Sequence, residues 1–109
     1  MNKFQEILRD RHAYAREWKA RTGGKVLGWF ETYMPEEIVY AAGILPVRVL
    51  ARHEADDVTD RQMYGNCYAT KDMLNQFIKG RYDYMDGVVH AEGCQWVFHC
   101  YQNIVNNTP

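Results

Sequence analysis

The 109-residue sequence holds no Cys-x-x-Cys pair, which removes zinc ribbons, thioredoxin-type redox sites and ferredoxin-type cysteine runs. It has no phosphate-cradling glycine loop either. Gly23-Gly24 precedes an apolar run, whereas a dinucleotide or P-loop fingerprint must follow a strand and open a helix. No apolar stretch is long enough to cross a membrane. The charged start Met1-Asn2-Lys3-Phe4-Gln5-Glu6 lacks the apolar core of a signal peptide. The 13 lysines and arginines against 14 acids form no basic run, so neither nucleic acid nor an anionic membrane is an expected partner. A cytoplasmic location is expected, where thiols stay reduced and metal-binding or reactive roles outweigh disulfides. The odd count of three cysteines agrees.

What is present is a repeated switch between helical and extended apolar periods. Phe4, Ile7, Leu8, Ala15 and Trp18 fall at helical spacing, with Asn2 as a cap and Gly23-Gly24 as the stop. Lys25 to Phe30 reads as a short buried strand. Pro35 suits the first position of a helix, Glu36 and Glu37 complement its dipole, and Gly43 ends it. Leu45 to Leu50 is a second strand with Pro46 near its start, and Ala51 to Asp60 is a polar, acidic surface loop. Met73, Leu74, Phe77 and Ile78 give a further helix one apolar face, stopped by Gly80. Asp86-Gly87 introduces a third strand, Val88-Val89-His90, and a last helix runs from about Gln95 to Val105.

Such alternation predicts one α/β domain over residues 1–109: an open parallel sheet with flanking helices, a flavodoxin-like or Rossmann-like half-domain. Three strands make a thin sheet, and the chain stops where a next strand would come, so it reads as truncated. Ligands of these sheets bind outside the carboxyl ends of the strands. Glu31 to Glu37 and Cys94 should therefore share one edge.

The candidate chemistry centres on two thiols placed alike, Cys67 in Tyr64-Gly65-Asn66-Cys67-Tyr68 and Cys94 in Glu92-Gly93-Cys94-Gln95-Trp96. Each stands where a helix begins, and the unpaired N–H groups there favour the thiolate, the form that ligates metals or attacks. The competing reading is two buried apolar thiols. Gly65 and Gly93 lie just before these cysteines and leave backbone that a bulky ligand can approach. Cys100 shares the last helix with Cys94, but six residues turn roughly 600°, so the two occupy different faces and Cys100 reads as packed. His90, at the end of the third strand, is a candidate to position or protonate a ligand, against a histidine bonded to nearby backbone. Glu36 and Glu37 are weaker acid–base candidates, since carboxylates at helix starts are common for dipole reasons alone. His12, His53 and His99 have no partner at metal-ligand spacing and read as surface or packing residues.

The segment from Glu31 to Arg48, with Met34-Pro35-Glu36-Glu37 and Ala41-Ala42-Gly43-Ile44-Leu45-Pro46-Val47-Arg48, resembles the amino-terminal signature of benzoyl-CoA reductase and 2-hydroxyacyl-CoA dehydratase subunits. Tyr64-Gly65-Asn66-Cys67-Tyr68, the run Lys79 to Val89 and Glu92-Gly93-Cys94 continue the likeness in order, over nearly the whole chain from Trp18. The resemblance implies the first part of a larger two-domain subunit, with a [4Fe–4S] cluster held by three cysteines between its halves. It implies Cys67 and Cys94 as the first two ligands, the third being absent from this chain; Cys100 does not correspond to it. It further implies a CoA-thioester substrate, a homologous partner subunit and an ATP-hydrolysing iron–sulfur activator. The activity implied is low-potential one-electron reduction, with the cysteine contexts closer to the reductase branch, on an aromatic acyl-CoA. The alternatives are radical dehydration of a 2-hydroxyacyl-CoA, or a scaffold domain without catalysis because its cluster ligands are incomplete.

Overall fold

The computed structural model describes residues 1–54 and 67–107. Its elements follow the order α1 (Lys3–Arg9), α2 (Arg11–Thr22), β1 (Val26–Phe30), α3 (Glu36–Ala41), β2 (Leu45–Arg48), α4 (Tyr68–Ile78), β3 (Gly87–His90) and α5 (Gln95–Asn107). All strands are parallel, in the order β2-β1-β3, with β1 at the centre. The open parallel α/β sheet is thus as the apolar periods predicted. Six of the ten residues of the expected loop after β2, from residue 55 on, and the Tyr64 to Asn66 part of the first cysteine motif lie outside the described residues.

The first expected helix is in fact a pair. Asn2 does cap α1, in a reciprocal box with Gln5, both bonds being 3.0 Å. Asp10 then leaves the helical path and accepts the Ala13 N–H at 2.9 Å, capping α2 instead. An aspartate competes for backbone amides in this way wherever packing does not oppose it. Here it does not: α1 buries no residue, and Phe4 and Leu8 are 78% and 75% exposed. Gly23 closes α2 with a left-handed φ of 67°, as the glycine pair suggested. Pro35 serves as the N-cap of α3 rather than its first residue.

Central β1 is buried at four of its five positions, the pattern of a parallel strand covered on both faces. Proline in β2 is tolerated because β2 is an edge strand. Gly28 on β1 makes room for Met85, whose sulfur would stand 2.4 Å from a Cβ there. Around this strand Ala15, Val26, Phe30, Val49, Leu74, Tyr82, Tyr84, Cys100 and Ile104 form one core.

Polar groups tie the helices to that core. The Asp86 carboxylate accepts the Val26 N–H at 2.8 Å and Lys19 Nζ at 3.0 Å, fixing the end of α2 to the start of the sheet. Asp72 on α4, only 5% exposed, accepts the amides of Arg52 and His53 at 2.7 and 2.6 Å and Nε2 of Gln76 at 2.8 Å. That carboxylate anchors the chain leaving β2 against α4. The chain passes from β1 out to β2 and then back across to β3, so the strand order reverses at the carboxyl end of β1. In open parallel sheets this is where ligands bind.

Candidate functional site

Phe30 ends β1, and Glu31 immediately takes a left-handed backbone, φ 67°. With that turn its carboxylate reaches across the reversal point and accepts the Cys94 N–H at 3.0 Å. Gly93 permits the approach, since a Cβ there would stand 2.8 Å from the Glu31 carboxyl carbon. Glu31 also lines a cavity of about 80 Å³ with Phe30, Arg48, Val49, Leu50, Met73 and Val97. Met73 belongs to α4 and Val97 to α5, so both helices that begin with a candidate thiol border this space.

Cys67 is the N-cap residue of α4 and is partly buried. Its thiol makes no capping bond. The Thr70 hydroxyl and then the Thr70 and Ala69 amides hold it below the usual thiol range, against a partial offset from burial. Thr70 Oγ1 also donates to the Cys67 carbonyl at 3.0 Å. Cys94 is exposed, one residue before α5. Cys100, at 0% exposure, donates its S–H to the Thr70 carbonyl at 3.4 Å. Burial pushes that thiol up to about 12, with the nearby Cys67 thiol adding to the effect. Cys100 is the packed residue that helix rotation predicted, and chemically the opposite of Cys67.

His90 ends β3 among rings: Tyr101 stacks on it at 5.5 Å, with Phe98 at 5.7 Å and Phe30 at 6.5 Å. Its Nδ1 is buried without a hydrogen-bond partner among the described residues. Glu36 opens α3 on the surface. No hydrogen bond among the described residues ties it to Cys67, Cys94 or His90. His12 is a packing residue, bonded through Nδ1 to the Tyr84 hydroxyl at 2.9 Å. Glu31 was not among the sequence candidates, although it is the first residue after β1 on the expected edge. Exposed aromatics stand near both thiols, with Tyr68 83% and Trp96 39% exposed. Among the described residues no group of three or more His, Cys, Asp or Glu side chains converges as a metal site.

Fold and thiols together define an α/β half-domain with a candidate thiol at the start of each of two helices, α4 and α5. The family model for the D-component of 2-hydroxyglutaryl-CoA dehydratase matches residues 31–109, and the chain belongs to that family. It is similar to the β subunit of (R)-2-hydroxyglutaryl-CoA dehydratase of Acidaminococcus fermentans, 28% identical over 105 residues, covering 94% of this chain and 27% of that protein. The β subunit of (R)-phenyllactyl-CoA dehydratase of Clostridium sporogenes is 28% identical over 96 residues, 85% of this chain and 25% of its own length. One subunit of the benzoyl-CoA reductase of Thauera aromatica is 27% identical over 84 residues, 73% of this chain and 22% of that protein. The chain therefore spans about a quarter of the length of the curated relatives it matches.

Proposed function

We propose that this chain forms the amino-terminal part of an acyl-CoA dehydratase or reductase subunit and supplies two thiolates, Cys67 and Cys94, to a [4Fe–4S] cluster. The observation that carries the reading is the equivalent station of the two cysteines, each at the first turn of a helix bordering the crevice at the end of β1. The donor chemistry fits: one thiol is held low by helix-start donors and the other is open to solvent, while the only remaining thiol is buried and pushed up. Two thiolates are an incomplete set for such a cluster, and the reading calls for a further cysteine from outside the described residues.

When bound, the cluster would supply one-electron chemistry at low potential to a CoA thioester. This chain's own part is to hold thiolates, to orient them and to restrict water. The rings of Phe30, Phe98 and Tyr101 pack around the imidazole of His90 at the end of β3, and Phe30 also lines the crevice. His90 is the residue proposed to position or protonate a ligand at this end of the sheet. A homologous subunit and an ATP-hydrolysing activator complete the proposed machinery. The groove of about 610 Å³ beside the unpaired edge of β3, lined by Phe77, Met85, Val88 and Ile104, supports the reading that the rest of a larger subunit packs there.

Between the two branches, the family description and the two relatives with the longest matches favour radical dehydration of a 2-hydroxyacyl-CoA over reduction of an aromatic acyl-CoA. The test is iron and acid-labile sulfide analysis of the protein within its full-length subunit, purified anaerobically, together with ATP-dependent turnover of both thioester types. Cys67→Ser and Cys94→Ser should each abolish iron loading, and Cys100→Ser should retain it. Iron lost only in the Cys100 variant would overturn the assignment.

A further inference from the structure

We infer that Glu31 is the positioning residue of Cys94, a carboxylate strut that fixes the first turn of α5 and with it the direction of the thiol. The inference rests on the proposed role of Cys94, and it deepens that reading by assigning what holds the ligand in place. Three observations support it independently. Glu31 occupies a left-handed backbone conformation, φ 67°, in which a residue with a Cβ is strained and which persists only where surroundings enforce it. Its Oε1 accepts the Cys94 N–H at 3.0 Å across a sequence separation of 63. The backbone beneath it is a glycine, and a Cβ on Gly93 would meet Glu31 Cδ at 2.8 Å, Oε2 at 3.1 Å and Cγ at 3.2 Å.

The chain reaches this arrangement by a turn immediately after β1. Phe30 pairs with His90 at the end of both strands, and the left-handed step at Glu31 ends β1 there, beside the turn that follows β3. The carboxylate then does for α5 what a capping side chain normally does, but from a distant strand. Cys94 O in turn accepts the Phe98 N–H at 3.1 Å, so the residue is held from both its amide and its carbonyl. Cys94 thereby moves with β1 rather than with the exposed turn that contains it.

The test uses the full chain, reduced and metal-free, with amide hydrogen exchange followed by NMR. Glu31→Ala and Glu31→Gly should each lower protection of the Cys94 amide by about tenfold, the loss expected for a charge-assisted bond, while Ile104 further along α5 keeps its protection. Glu31→Gly relieves the strained backbone, so its melting temperature should not fall with the protection. Gly93→Ala approaches from the other side: it displaces the carboxylate and should reproduce the loss. Glu31→Gln keeps an acceptor and should restore protection to within about twofold of the parent. Unchanged Cys94 protection in Glu31→Ala would overturn the inference, as would equal loss in the alanine and glutamine variants. Iron loading of the same variants within the full-length subunit is a separate arm. A parent protein that takes up no iron removes the cluster reading and leaves the amide result standing.

Discussion

Around α2, side chains bond to one another in a dense network, although the buried His12 Nε2 and Arg81 Nε have no partner among the described residues; at the carboxyl end of β1 such bonds are fewer. The Tyr82 hydroxyl accepts the Leu50 N–H at 3.1 Å and an Arg11 N–H, and donates to the Leu50 carbonyl at 3.2 Å. Lys19 joins Asp86 to the Tyr84 carbonyl, and Arg16 pairs with Asp83 at 2.9 Å. At the β1 end, by contrast, one thiol is exposed and a second makes no capping bond. Densely bonded networks define a single structure, while thiols left out of such bonds are available to bind something else. Substitutions in the first region should therefore act on stability, and those in the second on ligand binding.

The largest stability effect expected is at Asp72. Asp72→Ala leaves the Arg52 and His53 amides and the Gln76 side chain without their acceptor in a buried place, which should destabilise by roughly 3–5 kcal/mol. Urea unfolding checks it; a loss under about 1 kcal/mol would mean that water replaces the carboxylate easily and the region is not sealed.

Next comes an acid sensitivity. Burial, reinforced by Arg11, Arg52 and Arg16, pushes His12 down to about 4 from its ordinary 6.5. A depressed histidine means that the unfolded chain binds more protons than the native one between those values. Stability is therefore complete above about pH 6.5 and falls as pH drops toward 4, by about 3 kcal/mol at most from this group. The lowered Asp86 and Glu54 carboxyls add losses of the same sign at more acid pH. A His12→Gln variant should lack the slope between pH 6.5 and 4, and a parent protein equally stable across that window would contradict a buried neutral imidazole.

Much of this division was legible from the amino-acid order, and the reasons for the gaps are physical. β1, β2, β3 and the capped ends of α1 and α2 follow from local patterns: apolar runs, an Asn2-Gln5 box and a glycine able to turn left-handed. The separation of Cys94 from Cys100 follows from helix pitch alone. The break at Asp10 was hidden because its period fits a solvent-facing helix position, and only the lack of packing on α1 lets the cap prevail. Glu31 and the ring cage of His90 depend on contacts between residues distant in sequence, which no local pattern encodes.

Cys100→Ser sharpens the comparison from the packed side. A hydroxyl in place of a fully buried thiol has only the Thr70 carbonyl nearby, at a distance set by a larger sulfur, so a cost of roughly 1–3 kcal/mol is expected. Iron content of the full-length subunit should be unchanged. A neutral effect on stability would show that the α4–α5 contact relaxes around the substitution.

The smallest stability effect, and the most informative one, belongs to Cys94→Ser. The residue is exposed, and its bonds to Glu31 and Phe98 are made by backbone atoms, which serine retains. Unfolding free energy should therefore shift by no more than about 0.5 kcal/mol, as for a surface substitution away from any special feature. Iron loading should nevertheless vanish, because a serine oxygen is a hard donor with a far higher pKa and does not replace a soft thiolate. Denaturant unfolding of the metal-free protein gives the first quantity, and iron analysis of the full-length subunit gives the second. Unchanged stability with lost iron assigns Cys94 to binding. Lost stability with retained iron would reverse the comparison and make the β1 end a structural element like the network around α2.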